Sequence, residues 1–310
     1  MKILITGAGG FVGKHLTPLL LKRGHQIYAV GMETIDNEHI HAYEADIRDY
    51  DAVVAVMGKV KPDAVIHLAA ISNVPFSWEK SALTVDVNAH GTVNVLEALR
   101  KINPKAKLLS VGSSDEYGLT AQKGLPLTED MPCKPQNPYA ISKYCAEQLA
   151  LKLGEKYGMK VICTRSFNHF GAGQAKGFVV SDFASQIAAI EKGEQKPIMS
   201  VGDLTAERDF LEVGDAVEAY AGLVNSDVPS GVYNVCSGKA RSIDSILEIL
   251  LSLAKTKIAV KKDAAKLRPS DTPFFVGDAS KLRSVINWRP RRDIREGVAN
   301  VLDYWRNKRN

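Results

Sequence analysis

Apolar and polar residues alternate along the first half of the chain with two different periods. The short apolar runs Lys2 to Thr6, Gln26 to Val30, Ala42 to Ala45, Ala64 to Leu68, Lys107 to Val111 and Lys160 to Ser166 have the length and continuity of strands buried on both faces. Between them lie segments with apolar residues at helical spacing. One runs through Val12, Leu16, Leu19 and Leu20 to a capping Gly24, and others cover Tyr50 to Met57, Thr84 to Ile102, and the stretch opening at Asn137-Pro138. Regular alternation of strand and helix predicts an α/β fold, a Rossmann-type doubly wound parallel sheet. After Arg165 the pattern loosens. Residues 167–174 read as a loop, and helices follow near Phe178 to Lys192, Val213 to Val224, Ser242 to Ala254 and Arg295 to Arg306. The shorter strands Pro197 to Val201, Val232 to Val235 and Ile258 to Lys261 lie between them. The expected division is a sheet domain over 1–166 and a smaller α/β domain over 167–310, with segments near 205–235 able to return to the first.

Composition narrows the class. With 310 residues, 45% hydrophobic and 24% charged, the chain reads as a globular protein with room for a large core. Met1 leads straight into a strand pattern, and no apolar run reaches the roughly 18 residues of a membrane span, so neither a signal peptide nor a membrane segment is expected. The cytoplasm is the expected location. Cys133, Cys145, Cys163 and Cys236 are widely spaced, which predicts reduced thiols that mostly fill core. His39 and His41 lack a third metal ligand nearby, so no metal site is expected, and His67 reads as core. The net charge of +5 is spread out and carries no nucleic-acid reader motif; an anionic small molecule suits it better than nucleic acid.

Three stretches carry candidate chemistry. Gly7-Ala8-Gly9-Gly10-Phe11-Val12-Gly13 joins the first strand to the first helix. Glycines at 7, 10 and 13 let backbone approach a pyrophosphate at a helix N-terminus, which makes residues 1–166 a dinucleotide-binding domain. The second strand should end in an acid for an unphosphorylated adenosine ribose, or near an Arg for a 2′-phosphate. It ends in Gly31-Met32-Glu33, which leaves Glu33 as an off-register candidate and NAD(H) against NADP(H) open. Asp46-Ile47 could meet an adenine edge, and Leu68-Ala69-Ala70 leaves room for a cofactor, although a well-packed strand end explains the alanines equally well. Ser113 and Ser114, past the Lys107 strand, can donate to a substrate carbonyl or cap their own turn. Tyr139 and Lys143 lie one turn apart on one helix face. A cation within about 4 to 6 Å would lower the phenol by roughly 1 to 3 units, bringing Tyr139 toward working pH. Any amphipathic helix can present such a pair by chance; its company here is what gives it weight.

Together, residues 6–13, Ser113-Ser114 and Tyr139/Lys143 resemble the extended short-chain dehydrogenase/reductases that act on nucleotide sugars. The resemblance spans nearly the whole chain, including Asp86-Val87-Asn88-Ala89-His90-Gly91-Thr92 and Arg208-Asp209-Phe210. Within that superfamily, Phe167 to Gln174, Tyr233 to Gly238 and Leu267-Arg268-Pro269-Ser270 are similar to the GDP-4-keto-6-deoxy-D-mannose reductases that form GDP-D-rhamnose. The resemblance implies NAD(P)H-dependent reduction of the C4 ketone of a nucleotide-linked 4-keto-6-deoxyhexose. Ser113 would hold the sugar carbonyl, Tyr139 would protonate the alkoxide, and Lys143 would lower the tyrosine pKa and hold the nicotinamide ribose. Asp115 lies among the substrate-side residues, and Asn168, Arg208 and Arg268 match positions that grip the nucleotide diphosphate. It also implies a homodimer through the Tyr139 helix and the long helix before it. GDP-mannose 4,6-dehydratase is the near alternative. Those enzymes carry Glu where this chain has Asp115, and the shorter acid disfavours elimination. A 4-epimerase and a dinucleotide-binding regulatory protein without chemistry complete the alternatives; an intact Ser113, Tyr139 and Lys143 argues against the last.

Overall fold

A computed structural model describes residues 1–33, 35, 37–263 and 272–308. A seven-stranded parallel sheet forms its centre, in the order Gly231–Val235, Val161–Ser166, Lys107–Ser113, Ala64–His67, Lys2–Thr6, Gln26–Gly31 and Ile40–Glu44. Ile3, Ile5 and Ile66 face one apolar layer and Leu4, Val65 and Leu108 the other, as two-sided burial requires. This is the expected doubly wound fold. A third cluster, built from Phe183, Ile187, Phe210, Ile246, Val301 and Trp305, forms the core of a smaller unit assembled from later elements.

Several elements differ from the sequence pattern in ways that matter for the site. The Lys107 strand continues to Ser113, with Gly112 opposite Arg165 and Ser113 opposite Ser166, so Ser113 ends a strand instead of sitting in a loop. Gly231–Val235 joins the central sheet beside Val161–Ser166. Its apolar run marks a strand but carries nothing that says which sheet takes it. The helix Val213–Asn225 likewise packs against Phe11–Lys22. Within the stretch read as a loop, Asn168–Phe170 pairs with Glu207–Glu212. That second strand escaped notice because its charges break the alternation.

The long helix expected from Thr84 is interrupted. Ser81–Val85 and Gly91–Ile102 flank a five-residue π-helical turn, Asp86–His90. Asn88 on that turn accepts from Ile71 N at 2.8 Å and donates to Ile71 O at 2.9 Å and Ser142 Oγ at 2.9 Å. The extra residue per turn presents this amide to the chain leaving the Ala64 strand, a position where π-turns are often retained. The Pro138–Tyr157 helix starts as its sequence demands. Asn137 accepts from Ala140 N at 2.8 Å, Pro138 takes the first turn, and Gly158 closes the end at φ +65°.

Candidate active site

The glycine turn is built for close backbone approach. Gly7 sits at φ +68°, and a Cβ there would lie 2.9 Å from Ala69 Cα and N. One on Gly13 would come within 2.3 Å of Ala8 O, so the turn and helix need hydrogen at both places. Gly10 caps the Phe11–Lys22 helix without any side-chain bond, leaving first-turn N–H groups to an anion. Ala69 borders this turn, Ala69 and Ala70 are both half-buried, and Leu68 packs against the core. These features fit a dinucleotide's pyrophosphate. Ile47, by contrast, is buried against Gly91, so only its backbone remains for an adenine. Asp46 is held by the Arg48 guanidinium, which keeps its carboxyl below the usual range. Phe11 stacks on His169 with ring centroids 6.1 Å apart, tying the turn to the strand that opens the second half of the chain.

The fold brings Ser113, Tyr139 and Lys143 together. The Ser113 side chain lies close enough to the Tyr139 hydroxyl to oppose the rise in its pKa, and it accepts from Asp115 N at 3.2 Å. Lys143 donates to Val111 O at 2.7 Å, so the amine is pinned to the strand carrying Ser113. The electrostatics correct one expectation. Tyr139 is pushed above the ordinary tyrosine range, first by burial and then by the charge of Asp115. Burial shifts of up to about 3 to 5 units exceed the 1 to 3 available from a neighbouring cation, and the cation here is spent on a carbonyl. Tyr139 therefore keeps its proton at neutral pH. Burial lowers Lys143 to about 8. The amine loses its charge as pH rises through that value while Tyr139 stays protonated. The turnover rate is accordingly expected to be level below about pH 7 and to decline with an apparent pKa near 8. A pH–rate profile with no descending limb below pH ~9.5 would remove Lys143 from that role.

A cleft of about 640 Å³ opens beside this cluster, lined in part by Asp115, Asn168, Gln186, Arg208 and Phe275. Asp115 links the two, bordering the cleft while its charge reaches Tyr139; burial raises its pKa and Arg208 opposes the rise. Arg208 donates to Glu207 O at 2.9 Å and Thr272 O at 3.0 Å, which sets the guanidinium's place on the wall. Ser114 is 1% exposed, whereas its neighbour Asp115 lines the cleft. Arg268 lies outside the described residues. Sequence reasoning missed Gln186, which forms a reciprocal pair with Ser200 on the wall, at 3.0 Å to Ser200 N and 3.3 Å to Ser200 O. A Gln on an ordinary amphipathic helix gives no signal of such a role.

The model of the GDP-mannose 4,6 dehydratase family matches residues 4–301. The chain belongs to this family, within the extended short-chain dehydrogenase/reductases. GDP-6-deoxy-D-mannose reductase from Pseudomonas aeruginosa is 34% identical, covering 99% of this chain and 98% of its own. GDP-6-deoxy-D-talose 4-dehydrogenase from Aggregatibacter actinomycetemcomitans is 31% identical over 92% of this chain and 91% of its own. Among solved structures, RMD from Pseudomonas aeruginosa complexed with NADPH superposes with a TM-score of 0.85 at 32% identity, covering 98% of both chains. UDP-glucose 4-epimerase from Thermus thermophilus with NAD gives 0.86 at 29% identity, covering 99% of both. This family member is thus an NAD(P)-dependent oxidoreductase.

Proposed function

We propose that the protein reduces the C4 ketone of a nucleotide-linked 4-keto-6-deoxyhexose, with GDP-4-keto-6-deoxy-D-mannose as substrate and GDP-D-rhamnose as product. The observation that carries this reading is Tyr139, a phenol that keeps its proton at neutral pH, placed next to Ser113 and beside a cleft roomy enough for a nucleotide sugar. The 34% identity to a GDP-6-deoxy-D-mannose reductase supports the choice of sugar and base. When bound, the reduced nicotinamide supplies the hydride. Ser113 holds the ketone oxygen as charge develops on it, and Tyr139 passes its proton to the alkoxide. The Lys143 ammonium offsets the charge left on the phenolate. Arg208, with Asn168 on the facing strand, grips the diphosphate through a planar fork suited to phosphate oxygens. Arg268 shares that assignment by resemblance.

A 4,6-dehydratase is the second reading, favoured by the matching family description and by Asp115, an acid whose charge reaches Tyr139. One paired incubation separates the two. Purified protein is given GDP-mannose alone, and separately GDP-4-keto-6-deoxymannose with NADH or NADPH, following the absorbance of the reduced nicotinamide and identifying the sugar. Consumption of reduced cofactor only with the keto-sugar supports the reductase. Conversion of GDP-mannose without net consumption would assign elimination to Asp115.

Cofactor preference follows from Glu33. A Cβ on Gly9 would fall 2.2 Å from Glu33 Oε2, so this acid lies over the glycine turn despite being out of register. Repulsion of a 2′-phosphate by roughly 1 to 2 kcal/mol makes kcat/KM for NADH about tenfold higher than for NADPH. Glu33→Ala should close most of that gap, and a wild-type preference for NADPH would refute the assignment. Ile141, Cys145 and Leu149 form an exposed stripe at four-residue spacing on the Tyr139 helix, and Val85 is exposed at the end of the Ser81–Val85 helix. The stripe supports a homodimer, and a solution mass of one chain by light scattering would rule it out. The four free cysteines support a cytoplasmic location; no helix among the described residues is long and apolar enough to cross a membrane.

A further inference from the structure

Behind the catalytic cluster lies a buried group of charges that the reaction does not touch. Arg165, at the end of the Val161–Ser166 strand, donates from Nε to Glu147 Oε2 at 2.9 Å and from Nη2 to Glu147 Oε1 at 2.7 Å. Glu147 follows Tyr139 and Lys143 at successive four-residue steps, so it shares their helix face. On the other side, Glu116 Oε1 accepts from Ser113 N at 2.7 Å, while Glu116 Oε2 lies 3.7 Å from Arg165 Nε. A Cβ on Gly112 would fall 2.6 Å from both Glu116 Oε1 and Thr164 O. The residue before the serine must therefore be glycine for the carboxyl to enter.

We propose that Glu116 is a positioning residue for the carbonyl-binding serine, held as a neutral acid between the Ser113 amide and the Arg165–Glu147 ion pair. The inference rests on the reading of Ser113 as the group that holds the ketone. Three contacts form one connection: strand end to Glu116, Glu116 to Arg165, and Arg165 to the helix bearing Tyr139 and Lys143. It fixes the distance between the groups that bind the ketone and protonate it. Neutrality follows from the charge count. Two carboxyls share one guanidinium with side chains no more than 5% exposed, the Lys143 amine is turned to Val111 O, and a buried charge without a partner of its own is costly. One proton removes it. Glu147 has both oxygens on the guanidinium, whereas Glu116 Oε2 meets no donor, so the proton belongs on Glu116. Burial and the Glu147 charge both push Glu116 upward, against the Ser113 amide and Arg165. The other titratable groups around it are Lys143, Tyr139 and Tyr144 on the helix, Cys163 on the strand, Cys133 in the preceding loop, and the neighbouring Asp115.

Glu116→Gln and Glu116→Ala test this in keto-sugar reduction, alongside a lysine NMR titration of Lys143 that needs no substrate. Glutamine keeps an acceptor for the Ser113 amide and is uncharged. It should retain at least about half of kcat and leave the Lys143 titration unchanged from wild type. Alanine removes the acceptor and is expected to lower kcat at least about tenfold with little change in KM for the keto-sugar and an unchanged fold by circular dichroism. The proposal is overturned if alanine turns over like wild type, or if glutamine falls as far as alanine. It is also overturned if glutamine lowers the Lys143 titration, because that means an ionised Glu116 was supporting the ammonium. Should alanine fail to fold, the glutamine titration decides. Wild-type protein inactive on every keto-sugar would be a failure of the reductase reading, and the NMR arm would still judge the charge state.

Discussion

Tyr139→Phe is expected to lower kcat for keto-sugar reduction by about 10³-fold, within the range spanned by loss of a positioned general acid. The estimate rests on what else could deliver a proton. Ser113 is the hydroxyl nearest in role to Tyr139, but its oxygen already accepts from Asp115 N. Asp115 acts on the tyrosine through its charge; burial raises its pKa, and Arg208 opposes the rise. Lys143 is committed to Val111 O. None of the three replaces a phenol that holds its proton through neutral pH. Because the substitution removes only one oxygen, cofactor affinity should stay within about twofold, measured by quenching of protein fluorescence. Activity above a tenth of wild type would move the proton donor elsewhere, and the same assay on Asp115→Asn would then identify it.

Asp209→Ala is expected to cost about 3 kcal/mol or more in unfolding free energy, the largest effect we foresee on stability. Asp209 is 1% exposed, and its carboxylate accepts from Ser237 N at 2.7 Å, Ser237 Oγ at 2.6 Å, Gly238 N at 2.8 Å and Gly277 N at 3.3 Å. Alanine strands these donors away from water, at roughly 1 to 3 kcal/mol for each that finds no new partner. Burial alone pushes the carboxyl up, and it is these bonds that oppose the rise. The neighbouring residue is Arg208 on the cleft wall, so the loss should also raise KM for the nucleotide sugar in whatever fraction stays folded. Denaturant melts compared with wild type measure the first effect. A loss below about 1 kcal/mol would mean that the two loops find other acceptors.

The central sheet was legible because buried parallel strands must be apolar throughout, and no other element of that length satisfies the pattern. The helix carrying Tyr139 was legible from Asn137 and Pro138, which fix its start, and from Tyr139 and Lys143, whose spacing fixes their shared face. What escaped depends on partners distant in the chain. Glu207–Glu212 carries charges because it edges a cleft, and its pairing with Asn168–Phe170 leaves no periodic trace. The charge state of Tyr139 ran opposite to expectation because spacing reveals a neighbouring cation but not the burial that outweighs it. Glu116 looked like one more polar residue in a turn; only Arg165 and Glu147, 49 and 31 residues away, give it meaning.

The place of Gly231–Val235 at the sheet edge also sets a timetable for biosynthesis. When Ser166 leaves the ribosome, its strand has a neighbour on one side only, and the strand that completes the other side ends at Val235. At about 5 to 20 residues per second, that is an interval of roughly 3 to 14 s with an apolar strand edge open. The nascent chain therefore carries an edge open to pairing with another chain during this interval, and a fragment ending near residue 166 would keep the exposed edge for good.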